Sequence, residues 1–285
     1  MLDQSPSIFS LIGLLALSVV WGVAALSRGR WTMLDLARPL WGIFLAIAVA
    51  EWFSFGVALW ILAVLSFCAL REYLSLVDIR LQDRWGILVC YLSIPFMFYL
   101  IQINWYGFFI VSIPVYAFLL MPFFVALGGR SEGIVFSVGA LDFGLFFYVF
   151  CIGHLAYLMF FSTRIAMLMV ATVAVAGVIA QLLQRRNVIV SLLVQILASV
   201  ALFAGLAGWT GIPAVHCVGV GILIPVLVCL GRFTLKQIEG DLGIRADRLQ
   251  PGRGRLIEAL KCYLFTVPIT FHYLRWFLKW GDELW

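Results

Sequence analysis

Long apolar stretches separated by short polar breaks run through almost the entire chain, and they constrain its fold more than any other feature. Cutting the sequence at its charged and turn-rich breaks leaves ten such stretches, at residues 7–26, 38–52, 54–74, 86–103, 105–127, 134–161, 164–184, 188–208, 213–231 and 259–278. A transmembrane α-helix needs about 20 consecutive, mainly apolar residues, and most of these stretches have that length. The second stretch is shorter and ends at Glu51, so nine spans is the alternative to ten.

Composition points to the same class of protein. Of the 285 residues, 64% are hydrophobic and 12% are charged, whereas soluble domains contain about 25% charged residues. A soluble core cannot cover so much apolar surface, so a lipid bilayer is the expected solvent. We therefore predict an all-α polytopic membrane protein with about nine to ten transmembrane helices. It is predicted to form a single membrane domain, 1–285, with N-terminal helices at 1–130 and a C-terminal region at 131–285.

The positive charges predict an orientation for these helices. If the polar segment 232–258 is a cytoplasmic loop, alternation of the ten spans places all Lys and Arg residues on that side except Arg164, Arg275 and Lys279. Cytoplasmic loops of membrane proteins carry an excess of Lys and Arg. We therefore expect an integral protein of the bacterial inner (cytoplasmic) membrane type, with both termini on the non-cytoplasmic face.

Charge and cysteine usage exclude several other classes. The net charge of +5 is explained by the Lys and Arg residues of the predicted cytoplasmic loops. No basic patch interleaved with aromatic residues marks a nucleic-acid-binding domain. The six cysteines are scattered within apolar runs, without a CxxC pair or a Cys/His cluster. Neither a zinc site nor a disulfide framework is therefore expected, and nucleic acid is not an expected partner.

The segment from Gly231 to Glu258 is the one sizeable polar stretch of the chain. Its glycines permit tight turns and close backbone approach, and arginine guanidinium groups pair with phosphate oxygens through parallel hydrogen bonds. At a membrane surface, that phosphate can belong to a lipid headgroup. The residues predicted to bind phosphate or a lipid headgroup are Lys236, Arg245, Arg248, Arg253 and Arg255. The alternative interpretation is a solvated loop that is basic because it faces the cytoplasm.

Several short motifs follow the order of a known family signature. They are Gly231, DLGI at 241–244, the Pro-Gly-x-Gly frame of PGRG at 251–254 and FTVPITFH at 265–272, with ALREY at 69–73 and YVFCIGH at 148–154 upstream. In this order they resemble the CDP-diacylglycerol synthases, also called phosphatidate cytidylyltransferases. The resemblance implies a polytopic helical fold. In an active member it also implies the Mg²⁺-dependent reaction of CTP with phosphatidate, which gives CDP-diacylglycerol and pyrophosphate.

The chain departs from the family pattern at positions that carry charge. Arg232 and Lys261 stand where the family has aspartates, Arg253 where it has a histidine, and Arg255 where it has a glycine. The connection 183–191 contains no Ser-Pro-x-Lys-Thr loop, which the family links to handling of the nucleotide. Mg²⁺ prefers carboxylate oxygens, so an arginine or lysine at an aspartate position removes a ligand and adds a competing cation.

Three functional hypotheses follow from these features. The leading hypothesis is a divergent, catalytically degenerate phosphatidate cytidylyltransferase-like protein, which needs no cofactor and binds anionic phospholipid or a membrane partner, such as a second copy in a homodimer. The alternative is an active cytidylyltransferase that uses Mg²⁺ held by Asp241, Asp247 and Glu258. The third is a transporter or channel, which the small number of intramembrane charges and the lack of an obvious internal repeat disfavour.

A few isolated polar residues lie within or beside the apolar stretches, where a charge is costly and often functional. Glu72 and Glu51 are expected near the membrane interfaces, whereas Asp142 is the candidate for a buried functional acid. The three histidines lie in different predicted helices and are interpreted as packing residues rather than metal ligands. They are His154, His216 and His272.

Overall fold

The computed structural model describes residues 7–26, 31–129, 131–184, 186–241 and 254–280, leaving aside the side chains of 23–38 and 81. Within those ranges the chain forms helices and no β-strand. The predicted all-α class is confirmed. In chain order the helices are α1 (Ile8–Leu26), α2 (Trp31–Trp52), α3 (Phe55–Leu74), α4 (Arg84–Gln102), α5 (Tyr106–Val111), α6 (Phe118–Ala126), α7 (Ile134–Leu145), α8 (Ile152–Phe161), α9 (Thr163–Leu182), α10 (Val188–Gly205), α11 (Ala207–Thr210), α12 (Ala214–Asp241) and α13 (Arg255–Phe277).

Helix length and hydropathy support an integral membrane protein. Seven helical segments of the described part are long and apolar enough to cross a bilayer, namely Phe55–Leu74, Arg84–Gln102, Tyr106–Ala126, Ile134–Phe161, Thr163–Leu182, Val188–Gly205 and Ala214–Asp241. α1 and α2 contain the shorter apolar segments Ile8–Gly22 and Pro39–Trp52. Many large apolar side chains lie on the outer surface of the helices, among them Phe53 at 85% and Leu197 at 71% exposure. An outer surface of this kind suits contact with lipid.

The ends of α12 and α13 change the boundaries of the predicted loop over 232–258. α12 continues through Asp241, ten residues beyond the predicted end of its span, and α13 begins at Arg255. Leu, Lys, Gln and Glu in the added turns are good helix formers. Polar residues at this point therefore end the apolar run without ending the helix.

Two of the long helical segments are interrupted by π-helical turns. Ser112–Ala117 joins α5 to α6 and contains Pro114, which has no backbone N–H to donate. Phe146–Cys151 joins α7 to α8, and there the Tyr148 carbonyl accepts a hydrogen bond of 2.5 Å from the Ser66 hydroxyl on α3. The second turn lies in the packed interior, where Tyr148 is 2% exposed. Its wider backbone thus places the Tyr148 side chain and its carbonyl against α3.

α12 and α13 pack against many of the other helices. α12 packs against α9, α10 and α13, and α13 also packs against α2, α3 and α8. A Cβ atom at Gly231 on α12 would lie 3.1 Å from the Phe265 Cβ on α13, so glycine allows the two helices to approach. We use "polar end" for the end of the bundle where α3 and α12 end and α13 begins. We use "opposite end" for the other, where α4 ends and α5 begins.

The connection between α3 and α4 is held by a buried carboxylate at the polar end. Asp83 accepts from the Arg80 guanidinium, at 2.7 Å, and from the Ser137 hydroxyl on α7, at 2.5 Å. Burial alone would raise the pKa of Asp83, but the hydrogen bonds from Arg80 and Ser137 outweigh it and hold this pKa below its usual value. Arg80 also donates to the backbone carbonyl of Glu132. The 75–83 connection is therefore tied to the start of α7.

Candidate functional site

Helix α13 begins against a carboxylate from α3. The Glu72 Oε2 atom accepts hydrogen bonds from the backbone amides of Gly254 and Leu256, both at 2.9 Å. The first amides of a helix have no partner within the helix, and its dipole favours a negative charge there. Glu72 is 6% exposed, so these bonds replace water around its charge. Glu72 lies in the last turn of α3, and its expected position near a membrane interface stays a prediction.

Gly254 provides the backbone conformation that this contact needs. Its φ angle is 94°, in the left-handed region that glycine adopts without a Cβ clash. The residue immediately precedes α13 and directs its amide toward the Glu72 carboxylate. The second glycine of the PGRG motif therefore has a structural role at the start of α13, which does not require a catalytic role.

A buried lysine lies between two carboxylates one turn further along α13. The Lys261 Nζ atom pairs with the Glu258 carboxylate on α13 and lies 3.6 Å from a carboxylate oxygen of Glu239 on α12. Lys261 is 7% exposed, and the Glu239 side chain is 17% exposed. A lysine is almost never buried unless it is paired. We call Glu72, Glu239, Glu258 and Lys261 the charge cluster.

The charge cluster does not fit a Mg²⁺ ion. Mg²⁺ needs an octahedral set of oxygen ligands, with carboxylates that are free to face it. Here two carboxylates face the Lys261 ammonium, while Glu72 faces backbone amides. In the part of the chain that the structure describes, no group of three or more His, Cys, Asp and Glu side chains could hold a metal ion.

Tyrosines line the interior next to the charge cluster. The Tyr73 hydroxyl donates to the Ala140 carbonyl on α7 at 3.0 Å, and the rings of Tyr73 and Tyr148 lie 5.3 Å apart. Beside Tyr73, an open and mainly apolar cavity of about 420 Å³ separates the end of α12 from the start of α7. Phe136 and Phe143 form part of its wall, and Asp241 lies at its edge. A cavity of this size falls within the range of small-molecule sites.

The predicted site residues occupy different environments. Lys236 and Asp241 are exposed on the last turns of α12, and Arg255 is the partly buried first residue of α13. The Glu258 carboxylate forms an ion pair with the Lys261 ammonium group. The predicted residues that lie outside the described ranges are Arg245, Asp247, Arg248 and Arg253.

Two members of the charge cluster were not recognised from the sequence as site residues. Glu72 stands at the end of an apolar helix, and its position in the ALREY motif was the available signal. Glu239 has no such signal, because its partner Lys261 lies on a different helix. The packing of α12 against α13 is what brings them together.

The opposite end contains a second polar group, built from histidines. The His154 Nδ1 atom lies 2.8 Å from the Phe150 carbonyl, which can only accept, so Nδ1 carries the proton. The His154 Nε2 atom then accepts from His272 Nε2 at 3.2 Å, and His272 Nδ1 accepts from the Tyr106 hydroxyl at 3.3 Å. The Arg275 guanidinium lies 3.8 Å from the centre of the Tyr106 ring. Two histidines that were expected to be packing residues therefore belong to one hydrogen-bond chain.

The isolated acids are also buried. Asp142 is 3% exposed, and both of its carboxylate oxygens lack a hydrogen-bond partner among the described residues. Its burial agrees with the sequence-based expectation, and a functional role stays a prediction. Glu51 is 9% exposed, with both oxygens likewise unpartnered within the described ranges.

The fold and the site define an all-α integral membrane protein that buries charged side chains at one end of its helices. The uncharacterized protein YnbB of Escherichia coli (strain K12) is 25% identical over 304 residues, covering 97% of this chain and 99% of YnbB. The similarity therefore extends over both proteins from end to end. No protein-family model and no solved structure matches the chain.

Proposed function

We propose that this protein has the architecture of a phosphatidate cytidylyltransferase, does not transfer CMP, and binds anionic phospholipid at its polar end. The observation that carries the proposal is the position of Lys261 between Glu239 and Glu258. The ammonium group takes the place between carboxylates in which a metal-dependent enzyme would need a divalent cation.

The chemistry explains why this substitution matters. Transfer between two anions depends on positioning and on neutralising the charge that develops on phosphate oxygens. A lysine ammonium carries a single charge on a flexible stem and donates hydrogen bonds instead of offering open coordination positions. Lys261 is also already engaged by Glu239 and Glu258. The cluster therefore stabilises the contact between α12 and α13.

Lipid binding is supported by the residues around the charge cluster. Lys236 is exposed on α12, and Arg255 lies in the first turn of α13, where the helix dipole also favours an anion. The sequence between these two helices, 242–253, contains the other four predicted site residues, which lie outside the described ranges. The apolar cavity beside Tyr73 offers space for part of an acyl chain close to these charges.

We also propose that the polar end faces the cytoplasm of a bacterial inner membrane. The proposal is supported by the distribution of Lys and Arg among the connections between helices. Reporter fusions after residues 83, 130, 186 and 248 should all report a cytoplasmic location. A reporter at any of these positions that is active outside the cytoplasm would overturn the orientation.

A turnover assay tests the absence of transfer. Purified full-length protein in detergent, with phosphatidate, labelled CTP and Mg²⁺, should form no CDP-lipid. Turnover that disappears in the Asp247→Asn variant would establish the active cytidylyltransferase instead. The Lys261→Asp variant supplies a matched test of the site. It should gain affinity for Mn²⁺, measured by electron paramagnetic resonance, that the natural protein lacks.

A separate measurement tests the lipid binding. The double variant Lys236→Gln with Arg255→Gln should co-purify with less anionic phospholipid than the natural protein, as counted by lipid mass spectrometry. Arg84→Gln is the control, since Arg84 is an exposed arginine at the start of α4 and is not one of the residues proposed to bind lipid. Equal lipid content in the double variant and the control would remove the proposed binding at Lys236 and Arg255.

A further inference from the structure

A second, smaller cavity lies at the polar end between α9, α10 and α12. Its volume is about 130 Å³, which exceeds the space of a single water molecule. Polar side chains from α10, from α12 and from the connection between α9 and α10 line it. They are Gln184, Arg186, Ser191, Gln195 and Arg232.

The cavity favours a negatively charged group. Arg186 and Arg232 line it from two sides, and none of the described residues that line it is acidic. α10 starts at Val188, beside the cavity, so the positive end of its dipole adds to the two arginines. Arginine pairs with phosphate oxygens in a planar, two-bond geometry. These features together select an anion, with phosphate as the best match.

The Gln195 side chain places a second requirement on the ligand, which is independent of its charge. It is 3% exposed, and its Nε2 atom donates to the carbonyl and the hydroxyl of Ser191, both at 3.1 Å. The Ser191 carbonyl can only accept, so the amide nitrogen must face it and the Oε1 atom must face away. Oε1 has no hydrogen-bond partner among the described residues. A buried carbonyl oxygen without a partner is costly, so this atom requires a donor.

The two requirements define a ligand with a phosphate at one end and a neutral donor at the other. A hydroxyl fits the Gln195 Oε1 atom, whereas an ammonium headgroup would meet two arginines and no carboxylate among the described lining residues. The outer face of α10 next to the cavity is apolar and open, with Leu193 at 54% and Leu197 at 71% exposure. Acyl chains can therefore run along α10 while the headgroup enters the cavity.

We propose that the cavity between α9, α10 and α12 binds the headgroup of an anionic phospholipid with a phosphate diester and a free hydroxyl, of the phosphatidylglycerol type. Arg186 and Arg232 hold the phosphate, and Gln195 accepts from the hydroxyl. The inference rests on the proposed lipid binding and adds to it a defined site and headgroup chemistry. None of the three residues that make these contacts is among the site residues predicted from the sequence.

Two lipids that differ in the hydroxyl test the assignment. Phosphatidylglycerol and phosphatidylmethanol carry the same phosphate diester charge, and only the first has free hydroxyls. Apparent dissociation constants of the full-length protein in detergent are measured for both by native mass spectrometry. We expect phosphatidylglycerol to bind about tenfold more tightly, because only its hydroxyl satisfies the buried Gln195 oxygen. Equal affinities in the natural protein would overturn the proposal without the need for any variant.

Variants separate the two halves of the site. Gln195→Met removes the acceptor at similar volume and should abolish the preference between the two lipids. Arg186→Gln should weaken both lipids about tenfold and keep the preference, because it removes a phosphate contact alone. Arg84→Gln, which removes an exposed arginine at the same end, should change neither. A preference that survives Gln195→Met in folded protein would contradict the assignment.

The source of the phosphate and the relation to the proposed function are tested in the same titrations. Soluble sn-glycerol 3-phosphate should compete poorly, and competition as strong as that of phosphatidylglycerol would indicate a soluble phosphate ester instead of a lipid. Lipid binding that responds to Lys236→Gln with Arg255→Gln, but not to Arg186→Gln or Gln195→Met, would overturn this site and leave the proposed function. Formation of CDP-lipid would overturn the proposed function and leave this site.

Discussion

At the polar end, the protein buries full charges and pairs them, whereas at the opposite end a buried histidine is linked through a hydrogen-bond chain to more exposed polar side chains. Lys261 lies between Glu239 and Glu258, and Glu72 faces backbone amides. His154, by contrast, is fully buried and is linked through His272 to Tyr106. α13 connects the two, since Lys261 and His272 lie eleven residues apart on it, about 16 Å along the helix.

The two ends should differ in the stability that is lost when one of their polar side chains is removed. Taking away one partner of a buried ion pair leaves an uncompensated charge, which costs several kcal/mol. Taking away one member of a neutral hydrogen-bond chain leaves an unsatisfied dipole, which costs about 1–3 kcal/mol. The polar end should therefore be sensitive to substitution in a way that the opposite end is not.

The largest effect is expected for Lys261→Met. The substitution keeps most of the apolar stem and leaves Glu239 and Glu258 close together without their cation. We expect the free energy of unfolding in detergent to fall by about 3 kcal/mol. Thermal and denaturant unfolding measure this change. Adding Glu239→Gln should recover part of this loss, because it removes one of the two repelling charges. A loss below about 1 kcal/mol in the single variant would break the contrast between the ends.

Glu72→Gln should have the next largest effect. The amide keeps the shape of the side chain and one acceptor oxygen, but it loses the negative charge at the start of α13. We expect a loss of about 2 kcal/mol, because two charge-assisted hydrogen bonds become neutral in a buried position. Glu132→Gln is the matched control, since Glu132 is exposed near the same end. Equal unfolding midpoints for the two variants would show that Glu72 does not support α13.

His154→Leu tests the opposite end. Leucine fills most of the space among Phe109, Phe150 and Phe271, whose rings surround the imidazole. Its cost should be about 1 kcal/mol, since His272 is exposed and can exchange its lost partner for water. Unfolding of this variant is compared with that of Lys261→Met under identical conditions. A larger loss for His154→Leu would reverse the proposed order of the two ends.

The apolar stretches predicted the helices well because their lengths follow from the thickness of a bilayer. The segments 54–74, 134–161 and 188–208 agree with observed helices to within three residues at each end. The contact of Glu72 with α13 was not predicted, because a helix-end charge beside Arg71 is typical of an interface and no local pattern shows that α13 begins against it. The pair of Lys261 with Glu239, and that of His154 with His272, depend on how distant helices pack. Residue spacing along the chain carries no information about such contacts.

The smallest effect, and one with a defined pH dependence, is expected for Asp83→Asn. Asp83 lies at the polar end but outside the charge cluster, beside Arg80, whose side chain is partly exposed at 22%. Because the folded-state pKa of Asp83 is lowered, its ionised form stabilises the folded protein above the unfolded-state pKa of about 3.9. That contribution is lost as the pH falls through the lower, folded-state pKa.

Thermal unfolding of the natural protein and of Asp83→Asn, measured from pH 7 to pH 3, checks this expectation. The natural protein should unfold at a slightly higher temperature at pH 7, and the gap should narrow below about pH 4. A gap that stays constant would show that the Asp83 charge is not linked to folding. A gap as large as that of Glu72→Gln would show instead that the contact between the 75–83 connection and α7 matters as much as the start of α13. The charge cluster would then no longer be the principal electrostatic support of the polar end.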